Sequence, residues 1–217
     1  MARRRLHTLD DLLDVAERIV TSGDPAGLTL RALATAAGAS NGTIYHAFHS
    51  KDELLARLWL RSWSRLGDLM SEALAAPHDG AAPTGHDAVV AVALAPVELV
   101  RRFPASARLF FAQRRDQLFS ADLPPDVDAE LEAAHKRFVE LLVTLARGVW
   151  DRGDRFAVEA IAVCVVDLPS GILRRRLLEE RGADDATGAR IEAAVRAILS
   201  VPLQPLEPRP TSSRSKP

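Results

Sequence analysis

The sequence predicts an all-α protein with a small N-terminal three-helix domain and a larger helical C-terminal domain. Apolar residues recur every three or four positions in one segment after another, and no segment alternates as a β-strand does. Helix-capping residues precede several of these segments, and glycine or proline follows them. The 217 residues are 47% hydrophobic and 26% charged, which is typical of a globular chain.

Three short helices open the chain. Apolar positions within 8–22 form one stripe, which Ser22-Gly23-Asp24-Pro25 brings to an end. Thr29 is a candidate cap for a helix over 30–37, which Gly38 ends. After the turn, Ser40 is positioned to cap a third helix over 41–48.

Ser50 and Glu53 form a capping-box pattern that starts a fourth helix, which continues to about residue 75. The Pro- and Gly-rich stretch 77–87 is the clearest predicted loop. Further helical patterns cover 87–102, 105–118, 127–151, 155–181 and 185–199. Pro96 and Pro169 lie inside two of them, and we expect each proline to kink its helix or end it early.

These patterns suggest three parts. Residues 5–65 would form the N-terminal domain, with a helix-turn-helix at about 29–48, and residues 66–201 would form the C-terminal domain. The Pro- and Ser-rich segment 202–217 is typical of a disordered tail.

Composition excludes several functional classes. The sequence has no Gly-rich phosphate loop, no HExxH motif, no nucleophile elbow and no paired cysteines, so neither an enzyme, a cofactor nor a metal site is predicted. The single cysteine, Cys164, lies in an apolar run and is expected to be a buried hydrophobe in a cytoplasmic protein. We expect no apolar run to reach the length that crosses a bilayer.

Two short helices joined by a tight turn fit a helix-turn-helix, but equally a helical hairpin within a core. Charge favours the DNA-binding interpretation. The net charge of the chain is −1, yet no acidic residue lies between Pro25 and Lys51, where Arg31, His46 and His49 are found. Phosphate would meet no repulsion there.

The segment LTLRALATAAGASNGTIYHAFHSKDELL resembles the DNA-binding segment of the TetR family of transcriptional regulators. The resemblance rests on these residues in the family's spacing: Thr29, the Leu33-Ala34 pair, Gly38, the Gly42-Thr43-Ile44-Tyr45 core, Phe48 and the Ser50-Lys51-Asp52-Glu53-Leu54 helix start. It implies a dimer that binds a palindromic double-stranded DNA operator.

The resemblance implies that the third helix, over 41–48, is the reading helix that enters the DNA groove, and that it and the residues around it contact DNA. The candidate contacts are Arg31, Ser40, Asn41, Gly42, Thr43, Tyr45, His46 and Lys51. Ala47 departs from the family, which often carries a hydrogen-bonding residue there, so one phosphate contact is expected to be missing. Arg3, Arg4 and Arg5 could form an arm over the minor groove or simply a solvated start.

The larger domain is expected to bind a small molecule and to dimerise. Bulky apolar candidates for the pocket are Trp63, Met70, Phe103, Phe110, Phe111, Phe138 and Trp150, with His135 and Arg108 as polar candidates. The resemblance places dimerisation in the last two helices, whose apolar stripes include Ile161, Val165, Leu168, Ile172, Ile191, Val195 and Ile198.

Together these expectations describe a dimeric repressor that a small-molecule inducer releases from its operator. The alternative is a DNA-binding regulator whose C-terminal domain binds a protein partner. An enclosed apolar pocket would favour the small ligand, whereas an open hydrophobic groove would favour the partner.

Overall fold

The computed structural model describes residues 8–22, 27–76, 84–112, 118–119 and 122–205, and all regular structure within these ranges is helical. The predicted all-α class is confirmed. The helices are α1 (Leu9–Ser22), α2 (Leu30–Ala37), α3 (Asn41–Ala47), α4 (Lys51–Ala75), α5 (Gly85–Arg102), α6 (Pro104–Ala107), α7 (Pro125–Trp150), α8 (Arg155–Leu178) and α9 (Asp185–Leu199).

One hydrophobic core holds the N-terminal helices together. It consists of buried residues from α1, α2, α3 and the first half of α4, among them Leu12, Leu33, Ile44 and Phe48. Side chains from the C-terminal part of the chain, including Val127 of α7, complete it. The N-terminal helices are therefore packed directly onto the domain that follows.

A second core fills the C-terminal domain. Residues from the second half of α4 pack there with α5, α7, α8 and α9. Along α4, the change from one core to the other falls between Trp59 and Leu66, and Trp63 packs against both. Because α4 contributes side chains to both cores, a shift of this helix must change the packing of both.

The region around Pro104 differs from the sequence prediction. A helix over 105–118 was expected, but α6 spans Pro104–Ala107 and continues as a π-helical turn over Arg108–Ala112. Phe103 is not helical, with φ −136° and ψ 65°, because a residue that precedes proline disfavours the α conformation. Helix α5 begins at Gly85, where Thr84 and Asp87 form a capping box that the sequence analysis missed.

Neither internal proline ends its helix, so that part of the expectation is wrong. Helix α5 continues through Pro96 to Arg102. In α8, a π turn over Val163–Asp167 precedes Pro169, with the Leu168 N–H donating to the Val163 carbonyl. A wider turn fits this position, since the proline has no N–H and its ring would clash with the carbonyl four residues earlier. Helix α8 then ends at Leu178, short of the predicted 181.

Helix α8 is unusually apolar. Among the described residues, it alone is long and apolar enough to cross a membrane by length and composition, with a mean hydropathy of 1.9 in a window of which 33% is buried. The expectation that no segment reaches such a length is therefore wrong. The helix carries Glu159 and Asp167 and packs against α5 and α7, as a core helix does. Its own chain covers only part of its apolar surface.

Three predicted features lie wholly or mostly outside the described residues. These are the arginine arm at Arg3, Arg4 and Arg5, most of the loop at 77–87, and most of the tail at 202–217.

Candidate nucleic-acid interface

The turn between α2 and α3 is built by local capping. Thr29 caps α2 by accepting a hydrogen bond from the Ala32 N–H at 3.0 Å. Gly38 ends this helix in the left-handed conformation, with φ 62° and ψ 28°, and the Ala39 N–H then donates to the Ala34 carbonyl at 3.0 Å. Glycine adopts this conformation at no steric cost, which explains the sharp turn.

Ser40 starts the candidate reading helix α3. Its hydroxyl accepts from the Thr43 N–H at 3.1 Å and lies 2.9 Å from the Thr43 hydroxyl. These bonds fix the first turn of α3. Ser40 and Thr43, both candidate DNA contacts, therefore also hold the helix start in place.

Helix α3 has a buried and an exposed side. Ile44 and the following Phe48 are fully buried and set the angle between the helices. The opposite side carries Asn41, Gly42, Tyr45 and His46, all exposed, and Tyr45 is 59% exposed. A solvent-exposed tyrosine beside small polar groups can donate to phosphate or to a base edge.

Gly42 has room for a side chain within its own chain. A Cβ at this position would have only the Ser40 hydroxyl within 4 Å, at 3.7 Å, which is an ordinary contact. The fold itself therefore does not require glycine here. A requirement for glycine would have to come from something that approaches α3 from outside.

The start of α4 holds a polar network that the sequence analysis only partly anticipated. The Ser50 hydroxyl accepts from the Glu53 N–H at 3.0 Å, as the capping box predicts. The Glu53 carboxylate, however, accepts from the His49 N–H, one residue before the cap, at 2.8 Å. It also accepts from the His49 Nδ1 at 2.9 Å and from the Arg57 Nε at 2.9 Å.

Glu53 is ionised despite its burial. Burial would raise the pKa of this carboxyl, but the hydrogen bonds from His49 and Arg57 outweigh that effect and hold the pKa below its ordinary value. Arg57 also donates to Asp126, at the start of α7, at 3.0 Å. The i,i+4 spacing of Glu53 and Arg57 could have signalled their contact, whereas nothing in the sequence points to Asp126.

A second polar contact connects α1 with α4 and α6. Arg65 of α4 donates to Glu17 of α1 at 2.6 Å and to the buried Ser106 hydroxyl of α6 at 2.8 Å. Arg61 pairs with Asp14 of α1. The N-terminal helices are thus tied by ion pairs to the same long helix, α4, that enters the C-terminal domain.

Three of the seven pocket candidates line a cleft of about 590 Å³ between α4 and α7, namely Trp63, Met70 and Phe138. The other four do not line it and pack against or within the C-terminal core: Phe103, Phe110, Phe111 and Trp150. His135 is exposed on α7, and Arg108 lies in the π turn, so neither lines the cleft.

The dimer candidates divide into two groups. Four are buried inside the chain, with at most 3% of each residue exposed: Ile161, Val165, Ile191 and Val195. Their surface is already covered within one chain, so their assignment to a subunit interface is corrected. Leu168, Ile172 and Ile198 are half-buried and keep some apolar surface.

The described ranges show neither a metal-binding cluster nor a reactive thiol. They contain no group of three or more His, Cys, Asp or Glu residues that could hold a metal ion. Cys164 is fully buried, as expected, and burial raises the pKa of its thiol to about 11, so the thiol stays protonated at neutral pH.

A capped helix-turn-helix with an exposed polar third helix, packed on a larger helical domain, is the arrangement typical of helix-turn-helix DNA-binding proteins. Residues 12–58 match the family model described as bacterial regulatory proteins, tetR family. This match covers the N-terminal helices, which are therefore similar to the DNA-binding segment of that family.

A curated relative is similar in sequence over less than a third of the chain. An HTH-type transcriptional regulator of Mycobacterium tuberculosis is 41% identical over 66 residues, which cover 30% of this chain and 33% of the relative. The match thus spans only about a third of that curated relative.

Solved structures share the fold over nearly the whole chain. The fatty acid degradation regulator FadR from Bacillus halodurans gives a TM-score of 0.66 at 14% identity, covering 91% of this chain and 97% of its own. FadR from Bacillus subtilis, in complex with stearoyl-CoA, gives 0.64 at 15% identity, covering 89% and 98%. A tetR-family regulatory protein from Rhodococcus RHA1 gives 0.64 at 18% identity, covering 88% and 96%.

Proposed function

We propose that this protein is a dimeric transcriptional repressor that binds a palindromic operator through α3 and leaves it when a small molecule occupies the α4/α7 cleft. The observation that carries the proposal is the exposed, acid-free face of α3, held in place by Ser40 and by the left-handed Gly38. Arg31, Ser40, Asn41, Gly42, Thr43, Tyr45, His46 and Lys51 are the proposed DNA contacts.

A second copy of the chain is the proposed partner of α8 and α9. Leu168, Ile172 and Ile198 present apolar surface that their own chain leaves half-covered, and Leu178 and Val201 are each 62% exposed. Apolar surface left exposed on these helices supports an association site there. A two-fold dimer also supplies two reading helices for two operator half-sites.

The cleft is the proposed effector site. Its floor is apolar, with Trp63, Met70 and Phe138, while Asp68 and Arg137 are exposed at its edges. A volume of about 590 Å³ lies within the range that holds small ligands. A protein of the same fold has been crystallised with stearoyl-CoA, which supports ligand binding by this architecture.

Helix α4 is the proposed lever between the two sites. It lines the cleft with Trp63 and Met70, and it holds α1 through Arg61 and Arg65. A ligand that separates α4 from α7 would strain the Arg57–Asp126 ion pair and move the start of α4, and α3 with it. The ligand would bind more tightly to the conformation in which the two α3 helices cannot reach both half-sites. Ligand binding would therefore favour that conformation and release the DNA.

Selection of genomic DNA fragments by the purified protein tests the DNA-binding part. We expect a palindromic site that the wild type enriches and that Tyr45→Phe and Lys51→Ala bind more weakly at the same salt concentration. Arg174→Ala, which removes an exposed charge from α8, is the matched control and should bind like the wild type. Selection of no site by the wild type would refute the proposal.

A cleft-filling variant tests the effector part. Gly67 lines the cleft, and a Cβ there would have nothing within 4 Å, so a side chain can start there, and Gly67→Leu is chosen to reduce the space in the cleft. Compounds that raise the Tm of the wild type and release it from DNA should do neither with Gly67→Leu. An unchanged response in this variant would place the effector elsewhere.

A further inference from the structure

Glu53 fixes the orientation of the His49 ring. The His49 backbone N–H and ring Nδ1 both contact Glu53 Oε2, at 2.8 Å and 2.9 Å, while Oε1 accepts from Arg57. An ionised carboxylate only accepts hydrogen bonds, so the proton of the ring must be on Nδ1. The Nε2 atom is the nitrogen left over for another partner, and the His49 side chain is 79% exposed.

This tautomer determines what His49 can offer to DNA. In the neutral ring, Nε2 carries only a lone pair, and phosphate oxygens are also acceptors, so no hydrogen bond can form between them. Protonation places an N–H on Nε2 and a positive charge on the ring. His49 therefore becomes a phosphate donor only as the imidazolium.

We propose that His49 is a phosphate contact of the DNA interface that forms only when its ring is protonated, so that operator affinity rises as pH falls. This inference rests on the proposed DNA binding. His49 lies in the turn between α3 and α4, three residues after His46 and two before Lys51, both of which are proposed contacts. The sequence analysis left it out of the site.

The charges around His49 suit a proton-dependent contact. Glu53 and Arg57 of α4 and Asp126 of α7 form one connected cluster with one more negative than positive charge, which an imidazolium would balance. Lys51 and Asp52 at the start of α4 carry opposite charges, and His46 of α3 is the other titratable group nearby. His46 must therefore be separated from His49 by experiment.

Two substitutions at His49 separate the functions of its ring nitrogens. Asparagine can donate to Glu53 from about the position of Nδ1 but has no atom in the place of Nε2. Lysine carries a charge that does not titrate in this range. The Kd for the selected genomic fragment is measured by fluorescence anisotropy from pH 5.5 to 8, across which histidine changes charge, at constant ionic strength.

The Kd of the wild type is expected to be at least about tenfold higher at pH 8 than at pH 5.5. A change of this size corresponds to the free energy of one hydrogen bond to a charged group. His49→Asn should bind weakly and His49→Lys tightly at every pH. His46→Gln removes a proposed contact and should bind more weakly overall, but its Kd should still rise between pH 5.5 and pH 8. Circular dichroism checks that each variant is folded.

Equal pH dependence in the wild type and in His49→Asn would overturn the proposal, as would none in the wild type. In the protein without DNA, long-range nitrogen–proton NMR spectra should show the Nδ1–H tautomer of His49 at high pH, and the Nε2–H tautomer would also overturn it. Failure of the wild type to bind DNA at any pH would instead refute the proposed function itself.

Discussion

Gly85 of α5 lies against the backbone of Gly148 of α7. A Cβ at Gly85 would lie 2.1 Å from the Gly148 carbonyl oxygen and 2.4 Å from its carbonyl carbon. Backbone atoms cannot move aside as a flexible side chain can, so the two helices would have to separate. This close approach joins the start of α5 to the end of α7. Asp126, which pairs with Arg57, lies at the opposite end of α7.

Gly85→Ala should therefore lower the free energy of unfolding by about 1–3 kcal/mol, the usual cost of overpacking. Gly148→Ala is the matched control, because a Cβ there would meet only the Gly85 Cα, at 3.9 Å. Within a helix, that substitution should be neutral or slightly stabilising. Urea denaturation of both variants measures the difference, and equal stability would show that the crossing tolerates a side chain.

Gly38 and Gly42 form a second pair with opposite expectations. Gly38→Ala forces a side chain into the left-handed conformation and should destabilise the protein by about 1 kcal/mol. Gly42→Ala meets no clash and should leave the stability unchanged or slightly higher. If DNA approaches α3 closely, only Gly42→Ala should lose operator affinity without losing stability.

Thermal unfolding and DNA-binding titrations of both glycine variants test this expectation. Wild-type operator affinity in Gly42→Ala would mean that the DNA backbone stays clear of this position. A Gly38→Ala protein as stable as the wild type would contradict the strain expected at the turn.

The Glu53 carboxylate accepts hydrogen bonds from a cationic side chain and from a backbone N–H. Glu53→Ala would leave the Arg57 guanidinium and the His49 N–H without their acceptor, and should cost about 1–3 kcal/mol. Asp126→Asn removes only the exposed end of the network and should lower the stability less than Glu53→Ala does. Chemical denaturation compares the two, and an equal loss would mean that Asp126 contributes as much as the buried carboxylate.

Three helix-capping aspartates should make the protein sensitive to acid. Hydrogen bonds from Thr84, Arg152 and Thr187, respectively, are the largest cause that lowers the pKa of Asp87, Asp154 and Asp184, each to about 2. Because their folded-state pKa values lie below the unfolded ones, their contribution to stability is present above pH 4 and is lost as pH falls from about 4 to 2.

Asp184→Asn tests one of these caps. Asparagine is also a good N-cap but does not titrate, so the variant should lose less stability than the wild type between pH 4 and pH 2. The Tm measured across this range gives the comparison. Parallel curves for the two proteins would show that Asp184 titrates alike in the folded and unfolded states.

Local chemistry made the N-terminal domain predictable. Thr29, Gly38, Ser40 and Ser50 each act on the few residues beside them, and each acts in the structure as its position in the sequence predicts. The contacts of Glu53 with His49 and of Arg57 with Asp126 depend on side-chain orientation and on long-range packing. Sequence patterns carry neither, so the polar network was missed.

The C-terminal domain shows the limit of hydrophobic periodicity. Ile161 and Ile172 recur on the same kind of apolar stripe, yet Ile161 is fully buried in its own chain and Ile172 is only half-buried. A stripe tells which side of a helix avoids water but not whether its own chain or a second copy covers it. The same ambiguity placed Phe111 in a pocket, although it is buried in the core.

The half-buried side of α8 gives the last prediction. Ile172→Lys puts a charge where the proposed dimer would bury it without a partner, so the variant should sediment as a monomer at concentrations where the wild type is a dimer. Val139→Lys, at an exposed apolar position on α7, is the matched control and should remain dimeric.

The monomeric variant should also lose operator affinity by more than about tenfold, because each chain alone reaches only one half-site. Analytical ultracentrifugation gives the masses, and circular dichroism checks the fold. A wild type that is monomeric at every concentration, or an Ile172→Lys protein that stays dimeric, would contradict an interface at this position of α8. Loss of the dimer with full operator affinity would contradict the need for two reading helices.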